Sequence, residues 1–399
     1  MKIEELRIEA PFYALFLTAA SIPISTAASS IFGGIFFAAY LWSGFWRRRG
    51  AIFGCEWAIP VLFLIVVNLA GLFWTEDLPR GFELVSKLHF FLYALLGITL
   101  PWNRMLLRKF VMFLLLGWLL NAAVGLLQIL HLFPWRPMNP ELGPIGYPHH
   151  GTLGLYLSFI LIWLLFEIKT PDLLQRKHSI ALAVIFFAQL AMTGGRIGQV
   201  LFLLALPLSV WILFPNKMRL YAAATGLLAM IAIGLSPQVE SRFKVGVDDV
   251  KEYMRGNPVS SIGLRFVMWD GAFVMGMNNP LFGVGTGDYG EEMENLQRAG
   301  AIPQTGGVPF DNPHSNLLAY FSALGLIGLL VFLIFNLSLF KDAWKSRGSS
   351  LGWFKLSYYF HFTVAGVLAA TSMWDFASVL GLGLVMSLPA SVAVTSDSA

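Results

Sequence analysis

The hydropathy of the chain leaves few folds open. Apolar runs at about 11–27, 29–46, 51–74, 88–102, 110–130, 151–168, 180–195, 197–214, 220–236, 316–340, 351–371 and 374–393 are separated by connectors that are mostly short and basic. Most runs approach the roughly 20 residues that a helix needs to cross a bilayer, and a backbone in hydrocarbon must satisfy its own polar groups, which favours helices. Only 13% of the residues are charged, against roughly 25% in a soluble domain. The expectation is an all-α, polytopic integral membrane protein with about 12 transmembrane helices. One cysteine, Cys55, precludes an intramolecular disulfide framework. It lies in an apolar run and reads as a small core residue. MKIEELRIEA is amphipathic and no A-x-A-like site follows the first apolar run, so no cleaved leader is expected.

Charge orients the bundle. Strict alternation of the runs puts Lys2 and Arg7 on one side with Arg47-Arg48-Arg49, Arg104/Arg108/Lys109, Lys169/Arg176/Lys177, Lys217/Arg219 and Lys341/Lys345/Arg347, which together are 16 of the 27 basic residues. By the positive-inside rule that side is cytoplasmic. Both termini are then expected in the cytoplasm, with 75–87, 131–150, a tight turn near Gly194-Gly195, 237–315 and a turn at Ser372-Met373 outside. The chain divides into transmembrane helices 1–9 (residues 1–236), one large periplasmic loop region with short helices (237–315) and helices 10–12 (316–399). Run 88–102 is short, and run 316–340 contains Gly325 and Gly328, which suits a short interfacial helix followed by a span. Basic residues dispersed over short connectors are inner-leaflet anchors and no footprint for nucleic acid.

The loop 237–312 carries six cations against ten carboxylates and so is no polybasic lipid surface. Within it, Ile262, Phe266, Trp269, Phe273 and Met277 recur at helical spacing and predict an amphipathic helix over 262–278, suited to a membrane interface. Asn279-Pro280 ends it. Gly283, Gly285 and Gly287 then read as a structural turn, since neither a strand–turn–helix context nor Gly-Lys-Ser/Thr makes them a phosphate loop.

Three polar residues stand out on the outward side. Arg265 is a lone cation among Leu264, Phe266, Val267 and Met268. It reads either as a snorkelling or ion-paired arginine or as an anion clamp, its planar fork suiting phosphate oxygens. Arg196, in TGGRIGQV, sits between two apolar runs, where a cation needs headgroups, a counterion or a wet cavity. His314, where the loop enters run 316–340, is a candidate general base. Arg80, Arg136, His149, His150 and Asn312 lie on the same side and are further candidates for substrate contact. His149-His150 lacks the spacing of a helical metal pair. Asp248-Asp249 reads as solvated, and no hydrolase, zincin or Walker signature occurs. Apart from Glu56, Lys355, His361 and Asp375 the runs hold few ionisable groups, which disfavours an ion-coupled transporter.

The outer-turn GGRIG, the segment GLRFVMWDGAFVMGMNNPLFGVGTGDY and PHSNLLAYFSALGLIGLL, in that order, resemble the bacterial O-antigen ligase and polymerase superfamily, and most of all an O-antigen ligase. By motif the resemblance covers about residues 180–340. Gly195-Arg196-Ile197-Gly198 departs from the usual Ser-Arg-Gly of the outer turn. The resemblance implies a glycosyltransferase that moves O-antigen from undecaprenyl diphosphate onto a sugar hydroxyl of lipid A–core at the periplasmic face of the inner membrane. Arg196 and Arg265 match the family's diphosphate-binding arginines and His314 its essential histidine. No cofactor or metal is implied. Polymerases and protein O-oligosaccharyltransferases of the same superfamily share the donor and differ in acceptor. A flippase for lipid-linked oligosaccharide is the alternative of another class.

Overall fold

The computed structural model describes residues 3–133, 136–139, 142–194, 196–215, 220, 224, 226–228, 231, 237–368, 373 and 375–389, with only the backbone of 196 and 237–243. Most of the expected run 220–236, the turn residues Gly195 and Ser372 and the side chain of Arg196 thus lie outside the described residues. Among the described residues the chain is all-helical, with one isolated bridge between Asn139 and Gly143 and no strand.

The first half comprises α1 (Ile3–Ser21), α2 (Thr26–Ser43), α3 (Ala58–Ala70), α4 (Leu78–Ser86), α5 (Phe91–Gly97), α6 (Arg104–Ile129), α7 (His150–Lys169), α8 (Arg176–Met192) and α9 (Arg196–Leu213). The second half comprises α10 (Pro237–Met254), α11 (Ser261–Asn278), α12 (Tyr289–Arg298), α13 (Asn316–Lys345), α14 (Ser350–Leu368) and α15 (Phe376–Met386). Helix α7 is the central post: 89% of its apolar window is buried, against 22% for α2. A helix apolar on every side belongs in the middle of a bundle, and α7 packs against α8, α9 and α14.

Among the described residues, four helices are long and apolar enough to cross a membrane by themselves: Thr26–Ser43, Arg104–Ile129, His150–Lys169 and Asn316–Lys345. A fifth arises if Phe45–Gly54 and Ala58–Phe73, bent by 97°, count as one broken span. The apolar run 51–74 is therefore not one straight helix. A 3-10 segment, Phe45–Gly54, turns sharply at 55–57 into α3. Run 88–102 likewise divides, into the 3-10 turn Lys87–Phe90 and the seven-residue α5.

Helix α13 breaks as its two glycines suggest. Gly325 adopts φ 62°, ψ −156°, a conformation essentially reserved for glycine. A break strands backbone groups that a bilayer cannot hydrate. Here the glycine-rich turn supplies the partners. Val284 and Gly285 donate to the carbonyls of Ser322 and Ala323 (2.9 and 3.0 Å), and Leu326 donates to the carbonyl of Pro280 at 2.8 Å. The fit leaves no room for side chains: a Cβ on Gly325 would lie 2.4 Å from the Leu281 carbonyl carbon, and one on Gly283 2.3 Å from that of Ala323.

Residues 253–318 build a second, smaller core of their own, from Val267, Met268, Ala272 and Met275 of α11, Tyr289, Met293 and Leu296 of α12, and Ile302 and Phe310. Helix α11 begins one residue before the predicted position, where Ser260 Oγ accepts from the Gly263 amide at 3.1 Å. Its inward face combines Val267, Met268 and Met275 with the small residues Gly263, Gly271, Ala272 and Gly276, while Phe273 and Met277 of the apolar stripe stay exposed.

Candidate functional site

The loop 311–315 delivers His314 in an unusual backbone. Its φ is 49°; His131 is the other non-glycine residue with positive φ among the described residues. The Asn312 side chain holds the turn, its Oδ1 accepting from the His314 amide at 2.9 Å. Immediately after, Ser315 is extended and α13 starts at Asn316, whose Oδ1 accepts from the Met373 amide at 2.8 Å. Asparagine, proline and serine around the histidine thus set an Asx turn directly onto a helix start. Left-handed backbone at a non-glycine residue costs energy, and such strain concentrates at functional sites.

The histidine is open to solvent on one side and crowded on the other. That crowding, followed by the positive charges of Arg265 and His149, holds its pKa below the ordinary 6.5. The three residues come from α11, the loop after α12 and the cap of α7, and both Arg265 and His149 lie within electrostatic reach of His314. His149 caps α7, its Nδ1 accepting from the Gly151 amide at 3.2 Å, and its ring lies 3.9 Å from that of His150. Arg265 is half-buried on α11.

Other residues read as candidates from the sequence are placed differently. Arg80 pairs with Glu83 at 2.6 Å, one helical turn on. Arg136 lies over the Tyr147 ring, 5.8 Å from its centroid, and its carbonyl accepts from Gln128 Nε2 at 3.0 Å. Asp248 pairs with Lys251 at 3.3 Å, and Asp249 accepts from the Ile262 amide at 3.2 Å, tying α10 to α11. Among the described residues no three of His, Cys, Asp and Glu gather as metal ligands do.

Sequence reasoning missed the support beneath the motif. Asp288 is buried and accepts from Thr75 Oγ1 at 2.7 Å and from the amides of Glu76 (3.0 Å) and Asp77 (2.9 Å). Thr286 Oγ1 donates to the Asn68 carbonyl at 3.1 Å. A small cavity of about 30 Å³ lies here, lined by Asn68, Thr286, Asp311, Asn312 and Tyr320 among others, with room for about one water molecule. The available signal was Asn68, a lone amide in the apolar run FLIVVNLAGLF.

Comparison with known proteins bears on the stretch that holds this geometry. Residues 181–333 match the family model described as O-antigen ligase. The resemblance read from the motifs is thereby borne out over less than half of the chain, and that part contains Arg196, Arg265, the glycine-rich turn, His314 and the break at Gly325. His149 and the Thr75 loop lie outside the O-antigen ligase match. An uncharacterized protein of Haemophilus influenzae (strain Rd) is 26% identical over 298 residues, covering 69% of this chain and 69% of its own. An O-antigen ligase of Escherichia coli K12 is 28% identical over 127 residues, covering 31% of this chain and 30% of its own.

Proposed function

We infer that this protein is a glycosyltransferase of the O-antigen ligase type, transferring glycan from undecaprenyl diphosphate to a sugar hydroxyl of lipid A–core. The observation that carries the reading is the meeting of His314 with the Arg265 cation at a strained helix entry inside the family match. The reading places the protein in the bacterial inner membrane as about 12 spans, with both termini cytoplasmic and the His314 loop periplasmic. The alternation of basic connectors supports that orientation.

The chemistry follows from the donor. Diphosphate is already a good leaving group, so no general acid is required. The transition state needs charge stabilisation on the departing oxygens, which Arg265 and Arg196 supply at an interface where water is scarce. The acceptor hydroxyl needs a base. A depressed pKa keeps His314 neutral and ready to accept that proton at pH 7. In-line attack inverts the anomeric centre, and no step calls for a metal or cofactor.

The name of the Escherichia coli relative favours a ligase over a polymerase or a protein O-oligosaccharyltransferase, which would use the same donor. A flippase would need charged groups along a central path; the candidate cation and base here gather at one end of the bundle. The test is the lipopolysaccharide of a deletion strain. Core lacking long chains, with intact polymer still on its lipid carrier at the outer leaflet, is the ligase outcome. Short-chain polymer points to a polymerase, and donor trapped at the inner leaflet to a flippase.

A further inference from the structure

A second site lies at the far end of α13. From the break at Gly325 to Lys341 the helix rises about 24 Å at 1.5 Å per residue, so this end is remote from His314. Here α7, α9, α13 and α14 leave a cavity of about 570 Å³, within the range of ligand-sized pockets. Its wall is mainly apolar, with Ala205, Leu208, Ile212, Phe340, Leu356 and Phe360 among the lining residues. The imidazole and one hydroxyl that also line it are satisfied internally. His361 Nε2 shares a hydrogen bond with Ser158 Oγ (2.7 Å), its Nδ1 lies 2.7 Å from the Ser357 carbonyl, and Ser357 Oγ donates to the Phe159 carbonyl at 2.8 Å. Such a wall offers hydrocarbon and asks for hydrocarbon.

The mouth is different in kind. Lys341 and Lys345 line it beside Trp344, and the Arg347 guanidinium sits 4.7 Å from the Trp344 ring centroid. Both lysines pair with the single carboxylate of Glu56, Lys341 at 2.8 Å. Three cations against one carboxylate leave a net charge of +2 at the mouth. Both lysines remain more than half exposed, so their remaining donors face outward. Leu208 and Ile212 on the cavity wall, with Trp211 between them, also expose apolar surface on the outside of α9, so the wall continues into a face that hydrocarbon would cover.

We propose that this cavity seats one acyl chain of an anionic phospholipid whose headgroup is held by Lys341, Lys345 and Arg347. The site is independent of the transfer reaction and of the outward face. Glu56 tunes it: the carboxylate cancels part of the charge that draws the headgroup, so removing it strengthens binding while removing the lysines weakens it. Each basic group near an anionic lipid surface is worth about fivefold in affinity.

The experiment uses the full chain in mild detergent, titrated with dioleoyl phosphatidylglycerol or dioleoyl phosphatidylcholine, with bound lipid counted by native mass spectrometry. Wild type is expected to retain one phosphatidylglycerol at least tenfold more tightly than phosphatidylcholine. Glu56→Gln should tighten phosphatidylglycerol about fivefold and Lys341→Gln/Lys345→Gln weaken it about 25-fold, each leaving phosphatidylcholine unchanged. Leu208→Trp, which fills the cavity from its lipid side, should lose both lipids. Equal retention of the two lipids by wild type, or a Glu56→Gln variant that binds no more tightly, overturns the headgroup site. A Leu208→Trp variant that keeps wild-type affinity overturns the seat of the chain.

Discussion

At His314 the backbone is strained and the charge is suppressed at the same residue, and the cause of the second is instructive. Arg265 and His149 resist protonation of the ring in the free protein. A bound diphosphate would cancel the Arg265 field and relieve that resistance, so donor binding should make His314 a stronger base. The acid limb of kcat/KM, which reports the free enzyme, should fall below pH 6.5, and that of kcat, which reports the complex, should lie higher. His149→Ala should move the kcat/KM limb upward, because one of the charges that depress the pKa is gone. Limbs that coincide would remove the proposed coupling. His314→Ala should cost at least about 10²-fold in transfer while the chain still folds; near-wild-type ligation would exclude the base. Arg265→Ala should cost about 10²–10³-fold. Arg265→Lys should stay strongly impaired, because lysine keeps the charge and loses the planar fork; full activity in that variant would leave only a snorkelling cation. Arg265 stood out in the sequence as a lone cation among apolar residues, and His314 as an imidazole where a polar loop enters an apolar run. Their proximity to His149, 165 positions before His314, was not, since no spacing rule joins a helix cap to a distant loop.

At the level of elements, Gly325 and Asp288 decide how the His314 end of the bundle is assembled. Gly325→Ala must put a side chain into a conformation that costs about 1–3 kcal/mol and also into contact with the backbone of Leu281 and Phe282. Gly306→Ala is the control: φ is also positive, at 66°, but nothing lies within 4 Å of the added carbon. Thermal unfolding in detergent should therefore separate the two, with Gly325→Ala much the worse. Equal midpoints would mean that the turn and the break do not depend on close approach. Asp288→Ala should leave the Glu76 and Asp77 amides without their carboxylate partner, at about 1–3 kcal/mol each, and lower both stability and transfer. The loss should not respond to Mg²⁺, and wild-type transfer should persist in excess EDTA; rescue by metal would instead assign Asp288 a ligand role. The glycine pair made the break readable from sequence. What fills the break was hidden, because the partner turn lies some forty residues away. The bend at 55–57 was hidden too, since hydropathy measures solvent preference and is blind to direction.

At the scale of the molecule the sequence conveyed the all-helical class, while the described residues leave the number of spans undecided. All-helical architecture follows from composition, whereas several apolar runs fold as short or bent pieces whose crossing depends on their neighbours. Orientation is open to direct test in a Cys55→Ser background. Glu294→Cys, exposed on α12, should react with a membrane-impermeant maleimide in spheroplasts, and Gly348→Cys, exposed beyond α13, only after lysis. The reverse pattern would invert the topology and move the His314 loop into the cytoplasm. One earlier feature also sets a rule for recombining relatives. The glycine-rich turn lies inside the matched stretch 181–333, but it is seated on residues outside it: Asp288 grips 75–77, Thr286 bonds to Asn68, and Gly287 packs against Gly81 so closely that a Cβ there would lie 2.7 Å from the Gly81 nitrogen. A chimera that transplants 181–333 alone would sever this seam, whereas one that carries 68–81 along with it keeps donor and recipient in register.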